Sequence, residues 1–162
     1  MALIARSLAE AFALRSSATS LLLRKSNDLI CNNLMCEKVT AGCACKLALS
    51  LSRLQCLRVL DISHNRLTVL PDSLWSSSIA KSLTTLDISH NVLPSLPDNL
   101  TTLSNLEELD ISHNVLQSHT VPWEKLALMS SLRRLSILKG NHPSCGPAVE
   151  KLATRCPILI IS

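Results

Sequence analysis

Leu60-Asp61-Ile62-Ser63-His64-Asn65 recurs unchanged as Leu86–Asn91 and again as Leu109–Asn114. A leucine stands three positions ahead of each copy, at Leu57, Leu83 and Leu106. The step from Leu57 to Leu83 is 26 residues and that from Leu83 to Leu106 is 23; Leu132 and Leu159 continue the series 26 and 27 residues further on. Self-similarity at such a period is the mark of a chain built by stacking one small unit on the next. Within a copy the alternation has period two, so Leu60 and Ile62 face one way while Asp61 and Ser63 face the other. Each copy therefore reads as a short strand, apolar on its inner side and polar on its outer side.

Leu57-x-x-Leu60-x-Ile62-x-x-Asn65-x-Leu67 and its copies resemble the LxxLxLxxNxL signature of the leucine-rich-repeat family. Leu70-Pro71-Asp72-x-Leu74 and Leu96-Pro97-Asp98-x-Leu100 extend the resemblance to the short "typical" repeat class, known from intracellular Ras-group-related and scaffold proteins. Cys156-Pro157-x-Leu159 is similar to the opening of a further, truncated repeat of the Cys-containing kind. The resemblance implies an α/β leucine-rich-repeat solenoid, right-handed, with short parallel strands on a concave side. Loops, 3₁₀ turns or short helices would occupy the convex side. It implies that Asn65, Asn91 and Asn114 are buried and satisfy backbone groups of the turn, and that the chain binds proteins without a cofactor. The convex helices are expected over Trp123–Leu132 and Ala148–Arg155. A single repeat cannot offset the entropy of ordering itself, so each layer depends on its neighbours.

The domain reading is a basic Ala/Leu/Ser/Arg-rich leader over 1–25, a degenerate N-terminal cap or loop over 26–46, and the repeat domain over 47–162. The chain has 162 residues, enough for one modest domain with a core. Its only aromatics are Phe12, Trp75 and Trp123, so the core must be aliphatic. Leu47–Leu54 reads as the returning arm of an earlier repeat, whose strand would come from Leu21-Leu22-Leu23 or Leu29-Ile30. Residues 1–25 hold +3 of the formal +4 charge and leave the body nearly neutral. With no basic stripe and few aromatics for stacking on bases, nucleic acid is not an expected partner. No apolar stretch is long enough for a membrane-spanning helix. Glycine-rich phosphate loops are also missing from a sequence with three glycines.

Seven cysteines at irregular spacing favour a reduced, cytoplasmic protein. Cys31, Cys36, Cys43 and Cys45 fall in or near the 26–46 segment, but one residue between Cys43 and Cys45 is too short for an ordinary zinc loop. They are read as small buried thiols, with no metal expected. Each repeat also carries Asp, Ser and His close together, as in Asp61, Ser63 and His64. A catalytic triad needs the histidine between the other two in space, which strand alternation opposes, and threefold repetition points to a structural role. No enzyme is expected.

The leading expectation is an adaptor or scaffold, in signalling for example, that binds a protein through its concave face. The residues assigned to that face are Arg58, Val59, Asp61, Ser63, Thr85, Asp87, Ser89, Glu107, Glu108, Asp110, Ser112, Arg133, Arg134 and Ser136. Asp61, Asp87 and Asp110 would form an acidic column, deepened by Glu107 and Glu108 and followed by basic Arg133, Arg134 and Lys139. The alternative is a subunit of a larger, mitochondrial assembly. The apolar run Pro157–Ile161 offers a second association site as an uncapped C-terminal edge.

The two addresses make different predictions for the leader. If it directs mitochondrial import, residues 1–30 fused to a fluorescent protein reach mitochondria, and Arg6→Glu with Arg15→Glu stops them. A diffuse cytosolic signal from the unmutated fusion contradicts import.

Overall fold

A computed structural model describes residues 2–31, 36, 42–137 and 158–160 of the chain. Among them the strands form one seven-stranded parallel sheet in strict sequence order. The strands are β1 (Ile4–Ala5), β2 (Ser20–Leu22), β3 (Val59–Asp61), β4 (Thr85–Asp87), β5 (Glu108–Asp110), β6 (Arg134–Ser136) and β7 (Ile158–Ile160). Among the described residues four short α-helices lie between strands: α1 (Leu8–Leu14), α2 (Cys45–Leu51), α3 (Ser77–Ser82) and α4 (Trp123–Leu126). Parallel neighbours need a crossover between them, and the repeat supplies one crossover per turn of the solenoid.

Register follows the sequence copies. Leu60 pairs with Leu86, Leu86 with Leu109 and Leu109 with Leu135. These leucines are buried, as are Ile62, Ile88, Ile111 and Ile137 and the leading Leu57, Leu83, Leu106 and Leu132. A one-residue slip would turn every one of these side chains to the wrong face, so burial fixes the register. Leu159 pairs with Leu135 and not with Leu132. It occupies the central strand position, three places later in the repeat than the leucine series suggests. Pro71 and Pro97 immediately precede 3₁₀ turns at Asp72–Trp75 and Asp98–Thr102, and carry φ values of −76° and −74°. Their fixed φ starts the return of the chain, which buries Leu74 and Leu100.

The turns after β3, β4 and β5 are each closed by an asparagine, Asn65, Asn91 and Asn114. Asn91 Nδ2 donates to the carbonyls of Ile62, Ile88 and Ser89 at 3.1, 3.0 and 3.2 Å. Its Oδ1 accepts from the N–H groups of Asn65 and Leu67 at 3.1 and 2.9 Å. Asn114 repeats the pattern on Ile88, Ile111 and Ser112, and its Oδ1 accepts from Leu93 N. Asn65 reaches Leu23, Ile62 and Ser63, and receives Ser26 N at 2.9 Å. Every amide thus ties its own turn to the turn of the preceding layer. Two hydrogens shared among three carbonyls require a three-centre arrangement.

The sheet begins well upstream of residue 47. β2 pairs with β3 through Leu21 and Leu60, and β1 pairs with β2 through Ala5 and Leu21. Ala5, Ala11, Ala18, Leu21 and Leu23 are buried in the common core. Residues read from composition as a leader therefore carry two strands and a helix of the solenoid. Within β1 Ile4 is exposed, while Ala5 points inward. The acids of this region hold the start of α1: Glu10 Oε2 accepts Arg6 N at 2.7 Å and Asp28 Oδ2 accepts Leu8 N at 2.7 Å. Ser7 Oγ accepts Glu10 N and completes the cap.

α4 is shorter than the helix expected over Trp123–Leu132. α4 ends at Leu126, because the chain tightens through the bonds Leu128 N to Lys125 O and Met129 N to Leu126 O before returning at Leu132. Ala148–Arg155 lies outside the described residues, as does Lys139.

Two substitutions test the layer interior. Ile88→Ala is expected to cost about 2–5 kcal/mol, through lost transfer energy and an unfilled cavity. Asn91→Ala leaves buried N–H and carbonyl groups in two layers without their partner and is expected to cost at least about 1–3 kcal/mol. Denaturant midpoints measure both, and wild-type midpoints for either variant would contradict this layer structure.

Candidate functional site

On the outer face of the sheet two columns run across the strands. The first is Val59, Thr85, Glu108 and Arg134; the second is Asp61, Asp87, Asp110 and Ser136. Side chains in register on adjacent parallel strands lie about 4.8 Å apart, so the three aspartates form a row of like charges. Most of these side chains are half-buried and Arg134 is exposed. Thr85, Asp87, Glu108, Asp110, Arg134 and Ser136 line a shallow depression of about 220 Å³. It is open enough for a partner's side chain and carries no deep pocket.

Ser136 lines that depression, but Ser63, Ser89 and Ser112 do not add to the surface. Ser63, Ser89, Ser112 and Ser136 are all buried. Ser63 Oγ donates to Asp61 Oδ1 at 2.6 Å and Ser63 N to the same oxygen at 3.0 Å. Ser112 does the same to Asp110, and Ser89 N donates to Asp87 Oδ1 at 2.9 Å. The backbone turns sharply after each aspartate and folds the serine under it, which alternation along an ideal strand does not foresee. Each aspartate spends one oxygen on its own turn and keeps the other for the outside.

The histidines take no part in a triad. His64, His90 and His113 have φ of 59°, 51° and 52°, the left-handed region. Histidine tolerates it better than most residues, although it costs about 1–2 kcal/mol. The three rings stack with centroids 3.9 Å apart between His64 and His90 and 3.9 Å between His90 and His113. Arg24 lies against the outer end of the row, its guanidinium 3.2 Å from His64 Nε2. Sequence reading missed this ladder, although identical histidines at identical repeat positions were the signal for it.

Arg58, Glu107 and Arg133 precede their strands and are exposed. Arg58, Thr84 and Glu107 line a separate depression of about 400 Å³ together with Lys81 and Asn105. The expected change from acid to base along the face is softened where Glu108 pairs with Arg134 at 2.9 Å. Among the described residues no cation pairs with the aspartate row. Partial burial pushes the Asp87 carboxyl above the ordinary range, its bonds to Ser89 oppose the shift, and the charges of Asp61 and Asp110 add to it. His90 is shifted down, first by desolvation and then by its two histidine neighbours.

Four of the seven cysteines gather into one cluster. The sulfurs of Cys31, Cys36, Cys43 and Cys45 all lie within 4.8 Å of one another. Cys31 and Cys43 are buried as expected of small thiols, but Cys36 is half-buried and Cys45 is exposed. Among the described residues no helix is long and apolar enough to cross a membrane.

Comparison with known proteins bears on the repeats. Residues 56–77 and 82–103 match a family model described as Leucine Rich Repeat, and residues 102–118 match a second described as Leucine Rich repeat. No curated protein matches the sequence. Among solved structures, an internalin from Listeria monocytogenes is similar with a TM-score of 0.65 at 18% sequence identity. The alignment covers 98% of this chain and 38% of that internalin, so this chain spans well under half of its length. At this identity the likeness shows the fold.

The aspartate row yields a pH prediction. With its pKa raised on folding, Asp87 holds a proton in the native state at pH values where the unfolded chain has lost it. Stability therefore falls as pH rises through that window and stays reduced above it. Asp87→Asn keeps an oxygen for Ser89 N and removes the charge, so it is expected to raise the thermal midpoint at pH 7, with the gain shrinking as pH falls toward 4. A variant that is less stable at pH 7 would contradict the repulsion.

Proposed function

The chain belongs to the leucine-rich-repeat family, and we propose that it is a non-enzymatic adaptor or scaffold that binds a protein partner through the outer face of its sheet. The observation that carries this reading is the in-register row Asp61, Asp87 and Asp110 beside Glu108 and Arg134. A rigid parallel sheet holds these charges at fixed spacing, so no entropy is spent on ordering them when a partner arrives. The row repels itself. Lysine or arginine side chains of a partner relieve that repulsion as well as gaining their own attraction, and they steer encounter and register. A basic segment with one acidic group placed to meet Arg134 fits the face best.

A catalytic role draws no support from the residues that suggested it. Ser63 and Ser112 donate directly to Asp61 and Asp110 while the histidines stack on one another, so in those repeats the histidine does not stand between serine and aspartate as a triad requires. The second reading, an assembly subunit held by its ends or outer side, has weaker support. Leu49 and Leu128 are exposed, but scattered apolar side chains of this kind are ordinary on protein surfaces. We place the protein in the cytoplasm, a reducing compartment that suits its cysteine content.

The test is an affinity capture of wild type and of Asp87→Arg/Glu108→Arg, followed by quantitative mass spectrometry and direct affinity measurement on the partner found. Both positions are partly exposed, and the Glu108–Arg134 pair contributes little to folding. The double variant is expected to keep its thermal midpoint within a few degrees and to lose at least about tenfold in affinity, or ~1.4 kcal/mol. A partner bound equally well by both proteins moves the binding surface elsewhere.

A further inference from the structure

We propose that Cys31, Cys36, Cys43 and Cys45 bind a structural zinc ion, which staples the segment between β2 and α2 onto the first full repeat. Four thiolates around zinc at about 2.3 Å form a tetrahedron whose edges are about 3.8 Å. The sulfurs of Cys31 and Cys45 are 3.8 Å apart and those of Cys36 and Cys43 are 3.7 Å apart. These two pairs have no residue in common, so they are opposite edges of such a tetrahedron. Cys43 and Cys45 stand closer, at 2.9 Å, well beyond a disulfide bond of about 2.05 Å, and open by less than 1 Å to admit the ion. A set of four sulfurs selects zinc over hard cations such as magnesium or calcium.

The backbone delivers the ligands. Ile30 and Gly42 form an antiparallel bridge, and Cys43 N donates to Leu29 O at 2.8 Å, which sets Cys31 and Cys43 on adjacent chain segments. Cys45 is the first residue of α2. One residue between Cys43 and Cys45 is short for a zinc loop, but the step from bridge to helix lets both sulfurs converge. Lys46 Nζ donates to Ile30 O at 3.3 Å, which puts a positive charge beside a site that carries net negative charge when four thiolates hold one zinc. On binding, each thiol gives its proton to solvent and its sulfur lone pair to the metal.

The place of the cluster explains what it is for. Gly42 packs so closely on the turn of β3 that a Cβ there would come within 2.1 Å of Asn65 O. The same turn receives Ser26 N on Asn65 Oδ1. Ser26 stands where the asparagine row runs out, and a metal that ties Cys31 and Cys36 to Cys43 and Cys45 restores the constraint that a regular repeat supplies by sequence.

The experiment uses the full chain, purified reduced and freed of metal, with Zn(II) or Co(II) as the only addition. One metal per chain is expected by elemental analysis, thiolate-to-cobalt charge-transfer and tetrahedral ligand-field bands in the Co(II) spectrum, and a higher thermal midpoint with Zn(II) that a chelator reverses. Cys36→Ser and Cys45→Ser, the more exposed ligands, are each expected to lose stoichiometric binding, whereas Cys56→Ser and His90→Ala keep it. Should the serine variants fold poorly, the wild-type cobalt spectrum still decides. Absence of stoichiometric metal, a cobalt spectrum without thiolate bands, or wild-type affinity in Cys45→Ser overturns the site.

Discussion

A parallel strand of three residues leaves carbonyls at its end that no neighbouring strand can take, and a buried carbonyl without a donor is costly. In this chain the side-chain amides of Asn65, Asn91 and Asn114 meet that need, each serving its own turn and the one before. The rest of the solenoid depends on this bond set. It fixes the height of each layer on the last, closes the turn tightly enough to bury the serine beneath the aspartate, and starts the return toward Leu67 and Leu93 by accepting their N–H groups. Apolar layers alone would hold the strands together without fixing the angle at which the chain leaves them.

That tight turn also shapes the outer face. It places a residue in the left-handed region at the same position after β2, β3, β4 and β5, namely Lys25, His64, His90 and His113, and Arg66 adds a second after β3. Three identical planar rings at one position stack face to face and return part of the conformational cost. The aspartates are treated differently. One oxygen caps the turn, while the carboxylates are left aligned and mutually repulsive. A structure that tolerates such a row at its surface has its stability supplied from inside, and a cationic partner turns the row into binding energy.

How much of this could be read from sequence depends on how faithfully each layer keeps the pattern. Leu60, Ile62 and Asn65 and their copies announced the central strands, the core and the buried amides. The upstream layer has the same geometry with Ala18, Leu21, Leu23 and Ser26 in the corresponding places. Alanine for leucine and serine for asparagine erase the signature, and Leu21 and Leu60 are separated by 39 residues rather than the usual 23 to 26. Its composition, rich in Ala, Leu, Ser and Arg, then looked like a leader. On the face, period two placed the aspartates correctly and misplaced the serines, because the turn begins before the alternation ends. The cysteine cluster was illegible for a third reason: spacing along the chain says little about sulfurs that a bridge and a helix start bring together.

Native-state hydrogen exchange measures most directly whether the asparagine row makes the layers one cooperative body. Asn65 N and Leu67 N, bound to Asn91, and Leu93 N, bound to Asn114, report on it in separate layers. If the row couples the layers, these amides exchange only through global unfolding, with one common free energy that matches the value from denaturant titration. Distinct, smaller opening free energies, with each layer exchanging independently of its neighbours, would contradict the account.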